Sequence, residues 1–164
     1  MRVVSREEMG RIENIVMEKM KFDGPLITEN VGISGAGLIE DHILDNIAVD
    51  EVIILVGRGN NGSDALAIGR QLCNRGHNVR AILLYSGDEM GAEVKRQLDL
   101  AYDFGAKVTE IKKADELESF LGASQGKNLI IDGIIGGGLR LPLPNQLFDI
   151  VNVVNKYASI IVSI

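Results

Sequence analysis

Asn60, Asn61 and Asp64 lie close together in one glycine-rich stretch, Gly57-Arg58-Gly59-Asn60-Asn61-Gly62-Ser63-Asp64. Two amides and a carboxylate make an oxygen-rich site that can hold a hard cation or a polar ligand. A second such stretch begins at Asp132 and runs from Gly133 to Pro144, with Gly136, Gly137 and Gly138 in succession. Both follow short apolar runs, Val52 to Val56 and Leu129 to Ile131, so both sit where a buried strand ends. Glycine there lets the backbone turn sharply and approach a ligand, and the first N–H groups of a following helix favour an anion. Each carboxylate also has a purely structural use: Asp64 can cap its helix and Asp132 can cap the Gly-rich turn.

Other chemistries are poorly served. Gly57, Gly59 and Gly62 formally meet the G-x-G-x-x-G pattern of dinucleotide enzymes. The acidic residue expected at the end of the second strand is represented only by Asp88, beyond that strand, and the Asn60-Asn61 pair puts side-chain amides where a pyrophosphate would lie. His42 falls on a helix and His77 at the start of a strand, positions that suit neither a Ser-His-Asp triad nor a zinc site. The single Cys73 offers no disulfide framework or Cys-rich metal site and reads as a packing residue. Glu29 and Asn30 have either a capping, solvated role or a site role.

The chain has 164 residues, 46% of them hydrophobic, enough for one domain with a sizeable core. A net charge of -6, without a block of Lys or Arg, argues against holding nucleic acid by its phosphates, so the expected ligand is small. The charged N-terminus and the lack of a long apolar run predict a cytoplasmic protein with no membrane segment.

The elements that must position these residues follow from the apolar pattern. Ser5 with Glu8 has the form of a capping box, and Met9, Ile12, Ile15, Val16 and Met20 follow at helical spacing. Pro25 opens a second helix through Leu44, in which Gly32, Gly35 and Gly37 suggest close packing against a sheet or a partner subunit. Strands are then expected at 52–56, 79–85, 107–111, 128–131 and 159–164, the third half-exposed and toward an edge. Helices are expected at 63–75, 90–104, 114–121 and 146–156 between them. The alternation predicts an α/β, Rossmann-like three-layer αβα sandwich with a mostly parallel central sheet, in which both Gly-rich loops face one crevice beyond the strands' carboxyl ends. Residues 1–164 read as a single domain. A last strand with no covering helix leads to the expectation that the domain continues beyond Ile164.

Gly59-Asn60-Asn61-Gly62-Ser63-Asp64, taken with Asp132-Gly133-Ile134-Ile135-Gly136-Gly137-Gly138-Leu139-Arg140-Leu141-Pro142, resembles the YjeF N-terminal family, the NAD(P)H-hydrate epimerases. The family patterns are G-x-G-N-N-G-G-D-G and D-A-[LI]-F-G-T-G-L, with an earlier M-E-x-A-G helix that Ile27 to Gly32 resembles. The resemblance spans essentially the whole chain and implies an isomerase that interconverts the R and S forms of NADHX and NADPHX. By motif position it implies that Asn60, Asn61, Gly62, Ser63 and Asp64, with Gly136, Gly137, Gly138, Leu139, Arg140, Leu141 and Pro142, hold the substrate. It further implies that Asn61 and Asp132 bind a potassium ion, K+, and that Asp64 and Arg140 are the catalytic candidates. A homodimer is implied by the resemblance together with the Gly32, Gly35 and Gly37 face.

The chain departs from the family at Ser63 and Ala65, which replace glycines, and at Gly137, which stands where Thr is usual. An added Cβ at the closest backbone approach is expected to narrow the site. A D-I-P-S-G segment is expected after Ile164. The rival readings are an inactive ligand-binding or scaffold module of the same fold, and the N-terminal half of a bifunctional epimerase and dehydratase.

Overall fold

The computed structural model describes residues 3–124, 126–138 and 142–164. Its first helix, α1 (Arg6–Lys19), opens on the expected capping box: the Ser5 hydroxyl accepts the Glu8 N–H at 3.2 Å, and the Glu8 carboxylate accepts the Ser5 N–H at 2.7 Å. Helix α2 (Gly24–Ile39) starts from Asp23, whose carboxylate accepts the Leu26 N–H at 3.0 Å, with Pro25 in its first turn. The single helix expected to run through Leu44 instead changes its hydrogen bonding at Glu40–Leu44. That segment is a π-helix, in which the Asp45 N–H reaches the Glu40 carbonyl at 3.0 Å.

Five strands follow in alternation with helices: β1 (Glu51–Val56), α3 (Asn60–Asn74), β2 (Val79–Leu83), α4 (Ala92–Asp103), β3 (Lys107–Glu110), α5 (Ala114–Ala123), β4 (Asn128–Gly133), α6 (Asn145–Tyr157) and β5 (Ile160–Ser163). Apolar runs such as Val52 to Val56 form inner strands because parallel strands are buried on both faces. Gly76 and Gly105, with φ of 92° and 98°, close α3 and α4 in the left-handed conformation that glycine adopts without strain. Helix α3 begins at Asn60 rather than Ser63. The extended Gly59 serves as its N-cap, which places the paired asparagines in the first turn, where N–H groups lack helical partners.

The sheet order is β3-β2-β1-β4-β5, and every neighbouring pair is parallel. Ile54 and Val56 pack under α2, α3 and α4, while Ile53 and Leu55 pack under α5 and α6. Each such buried side chain contributes about 1.5–3 kcal/mol of transfer free energy. The chain leaves β1 toward β2 and β3, then returns across the other face to β4. The order therefore reverses between β1 and β4, the strands that carry the two Gly-rich loops.

The glycines of α2 have a different neighbour from the expected sheet or partner subunit. A Cβ on Gly32 would lie 2.9 Å from the Ala67 Cβ, and one on Gly35 would lie 2.7 Å from the Ile68 Cδ1. Both use their missing side chains to seat α2 on α3 within the chain, so they give no argument for a homodimer. Glu29 is spent on the same contact, accepting from Arg70 and, at 2.7 Å, from Gln71. Asn30 donates to the Leu26 carbonyl of its own helix at 2.8 Å.

Candidate functional site

The two Gly-rich loops touch backbone to backbone. The Gly57 N–H donates to the Gly133 carbonyl at 3.1 Å, and a Cβ on Gly57 would lie 2.1 Å from the Ile134 carbonyl oxygen. A Cβ on Gly62 would lie 2.1 Å from the Gly57 carbonyl oxygen, and one on Gly133 would lie 2.5 Å from the Ala65 Cβ. Gly57 and Gly62 are thus used to fit protein against protein. Of the G-x-G-x-x-G glycines only Gly59 has open space where a Cβ would stand.

Beyond this contact lies a crevice of about 1240 Å³, lined by Arg58, Gly59, Asn60, Asn61 and Asp64 from the first loop and by Ile134 to Gly138 from the second. Pro142 to Pro144 and Gln146 and Leu147 continue the second wall, while Tyr85 enters from the end of β2. Asn60, Asn61, Asp64, Gly136, Gly137, Gly138 and Pro142 are therefore brought together on one crevice, as the fold class led us to expect of the two loops. Gly62 and Ser63 are not on the wall. Gly62 is buried against Gly57, and Ser63 is buried with its hydroxyl donating to the Asn60 carbonyl at 2.7 Å. Ala65 is buried beside Gly133, so the added Cβ atoms of Ser63 and Ala65 point away from the crevice rather than narrowing it. Leu139, Arg140 and Leu141 lie outside the described residues.

Asp64 is the most perturbed carboxyl on the wall. Burial pushes its pKa up from 3.8 to about 6, the neighbouring Thr28 hydroxyl pulls it partly back, and the charges of Glu13 and Glu93 push it up again. It is the fifth residue of α3 and does not cap that helix, whose N-cap is Gly59. Asp64 is thus placed to exchange a proton near neutral pH at the edge of the crevice.

Asn61 spans the two loops. Its Nδ2 donates to the Ile164 carbonyl at 3.0 Å, and its Oδ1 lies where a Cβ on Gly136 would come within 2.6 Å. Asp132 stands at the end of β4 but is not on the crevice wall; its Oδ1 accepts the Ile134 N–H at 3.0 Å, the turn-capping role open to it from sequence. The amide oxygen of Asn61 and the second carboxylate oxygen of Asp132 are hard donors, the chemistry that an alkali cation requires. Among the described residues no group of three or more His, Cys, Asp and Glu side chains could hold a metal ion.

Several wall residues have no motif that would reveal them. Met9, Gly10 and Glu13 arrive from α1, and Arg58 lies with its guanidinium carbon 5.6 Å from the Tyr85 ring centroid. Burial raises the Tyr85 phenol, Arg58 lowers it and Glu89 raises it. The residues outside the crevice behave as packing groups: His77 pairs with Glu40 at 3.0 Å, and burial raises the Cys73 thiol, which makes it less reactive. His42 is exposed on the π-helix.

Comparison with known proteins bears on this arrangement directly. Residues 26–164 match the family described as YjeF-related protein N-terminus. The chain belongs to that family. It is 26% identical over 95% of its length to the bifunctional NAD(P)H-hydrate repair enzyme Nnr of Moorella thermoacetica, of which it spans 29%. It is 27% identical over 94% of its length to the NAD(P)H-hydrate epimerase of Rhodopirellula baltica, of which it spans 60%. The chain thus covers less than two thirds of either YjeF relative. The crystal structure of yeast ynu0 superposes with a TM-score of 0.82 over 99% of this chain and 69% of the yeast chain, at 24% identity, and shares the fold.

Proposed function

We propose that this YjeF-family chain is an NAD(P)H-hydrate epimerase, an isomerase that interconverts the R and S forms of NADHX and NADPHX. The observation that carries the reading is Asp64, a carboxyl with its pKa raised to about 6, on the wall of a crevice that two Gly-rich loops form at the strand-order reversal. Epimerisation at C6 of the hydrated ring needs loss and return of a hydroxyl, or opening and closure of the ring, with a proton moved on the way. Protonated Asp64 can give that proton to the departing oxygen, and its carboxylate can take it back. Asn60, Asn61, the Gly136 to Gly138 backbone and Pro142 would hold the substrate, with Leu139, Arg140 and Leu141 assigned by motif position alone. Arg140 would meet a phosphate or polarise the leaving oxygen.

Asn61 and Asp132 would hold a potassium ion, which when bound supplies positive charge beside the anionic nucleotide. The relatives named as hydrate repair enzymes support the substrate class. A cytoplasmic place agrees with the absence, among the described residues, of a helix long and apolar enough to cross a membrane. The test is to supply one epimer of NADHX in potassium buffer and follow the other by chromatography. Exchange faster than the uncatalysed rate is expected; no acceleration, with NADHX bound no better than NADH, would favour the scaffold reading instead.

A further inference from the structure

Resting on the reading of the crevice as a nucleotide site, we propose that Arg58, held over Tyr85, is its phosphate subsite. Arg58 is the cationic side chain on the crevice wall among the described residues. Arg70, Arg75, Arg80 and Arg96 each pair with a glutamate, whereas no ion pair within 4.0 Å joins Arg58 to a described carboxylate. In a chain of net charge -6, an arginine left without a carboxylate on a concave wall has an anion as its natural complement.

Its placement suits that task. The Arg58 carbonyl accepts the Gly91 N–H at 3.1 Å, which ties the backbone to the start of α4, and the side chain lies over the Tyr85 ring. Stacking occupies the flat face of a guanidinium and leaves its edge of N–H donors for a bidentate grip on phosphate oxygens. The nearby Glu89 carboxylate accepts the Ser86 N–H at 3.0 Å and makes no ion pair with Arg58 within 4.0 Å.

Charge along the crevice then orients the ligand. Glu13 and Asp64 line it as well, and the charges that bear on Asp64 are the acidic ones of Glu13 and Glu93, whereas at Tyr85 the Arg58 charge stands beside that of Glu89 and outweighs it. Phosphates are repelled from the first region and drawn to the second, which leaves the uncharged hydrated ring at Asp64. The phosphate can be the pyrophosphate common to both substrates or the 2′-phosphate of NADPHX, and the measurement separates the two.

Calorimetric titration of the full chain with ADP-ribose and with its 2′-phosphate ester tests the subsite without requiring turnover. R58A is expected to raise Kd by about tenfold or more, the usual weight of a charge-assisted hydrogen-bond pair, and to flatten its rise with ionic strength. R58K should recover part of the affinity, and Y85L, which removes the stack and keeps the charge, should cost about threefold. An equal loss for both probes identifies the pyrophosphate, and a loss confined to the ester identifies the 2′-phosphate. Values of Kd for both probes that ignore R58A overturn the subsite, as does a wild-type chain that binds neither. Arg58-dependent binding without epimer exchange overturns the epimerase reading and leaves the subsite standing.

Discussion

At the scale of single residues, Asp64 is the proposed proton carrier, and its burial has a cost. Its carboxyl is buried enough to favour the neutral form, and its pKa rises from 3.8 to about 6. Between those values the folded chain binds more protons at this site than the unfolded chain does, so stability falls as pH rises through that window and the loss is complete above it. Asp64→Asn keeps the shape and removes the charge. It is expected to slow epimer exchange by about 10²-fold or more, the usual weight of a general acid–base group. The inflection near pH 6 in the wild-type profile of kcat/KM against pH should disappear with it. The same substitution should stabilise the fold at pH 7 by about 1 kcal/mol, allowing for the partial exposure of the group, and give no gain below pH 4. Denaturant titrations at the two pH values check the sign.

At the scale of elements, the first Gly-rich loop is two things in one motif. Gly57 and Gly62 are contact points between backbones, while Gly59 caps α3 and faces open space. Gly57→Ala would drive a methyl group into the Ile134 carbonyl and part the loops of β1 and β4. A loss of about 2–3 kcal/mol is expected, as for overpacking in a rigid core, with ligand binding lost as the crevice deforms. Gly59→Ala meets no atom within 4 Å and should cost less than about 1 kcal/mol as a poorer N-cap. Midpoints of urea unfolding at unchanged slope would separate the two, and equal costs would contradict this division of labour. The same logic governs α2, where Gly32 and Gly35 let one helix sit on α3 and so bring Thr28 to Asp64.

For the whole molecule, the reversal of strand order between β1 and β4 creates the crevice, because helices leave those strands toward opposite faces and nothing covers the gap. A potassium ion shared by Asn61 and Asp132 would tie one side of that reversal to the other. Replacing potassium by lithium should then lower the thermal midpoint by about 2–4 °C, the shift that 1 kcal/mol produces in a chain of this size. Asn61→Ala should erase the difference between the two salts. An identical midpoint for wild type in both salts would remove the ion from the site.

Much of this was legible in the order of residue types. Val52 to Val56 and Leu129 to Ile131 announce buried parallel strands because both faces of such strands must be apolar, and Gly76 and Gly105 announce helix ends because only glycine takes their left-handed backbone at no cost. Asn60, Asn61 and Asp64 could be nominated because a structural turn seldom needs three such polar groups at a strand end, whereas Gly136 to Gly138 were nominated by the family motif. What the linear pattern could not supply was direction. The capping box of Ser5 and Glu8 marks a helix but not that its Met9, Gly10 and Glu13 reach the crevice. The glycines of α2 mark a close approach but not that α3 is the neighbour. Ser63, conspicuous as a departure from the family motif, turns inward to the Asn60 carbonyl, whereas Arg58, inconspicuous between two glycines, lies over Tyr85 on the wall. Local propensity and periodicity act between residues a few positions apart, so the sequence by itself determined the strands, the helices and the residue types at the strand ends. Burial, charge and contact act between residues far apart in the chain, so only the tertiary structure decided which of those residues face the crevice, which face each other, and where, among the described residues, the strongly raised carboxyl would stand.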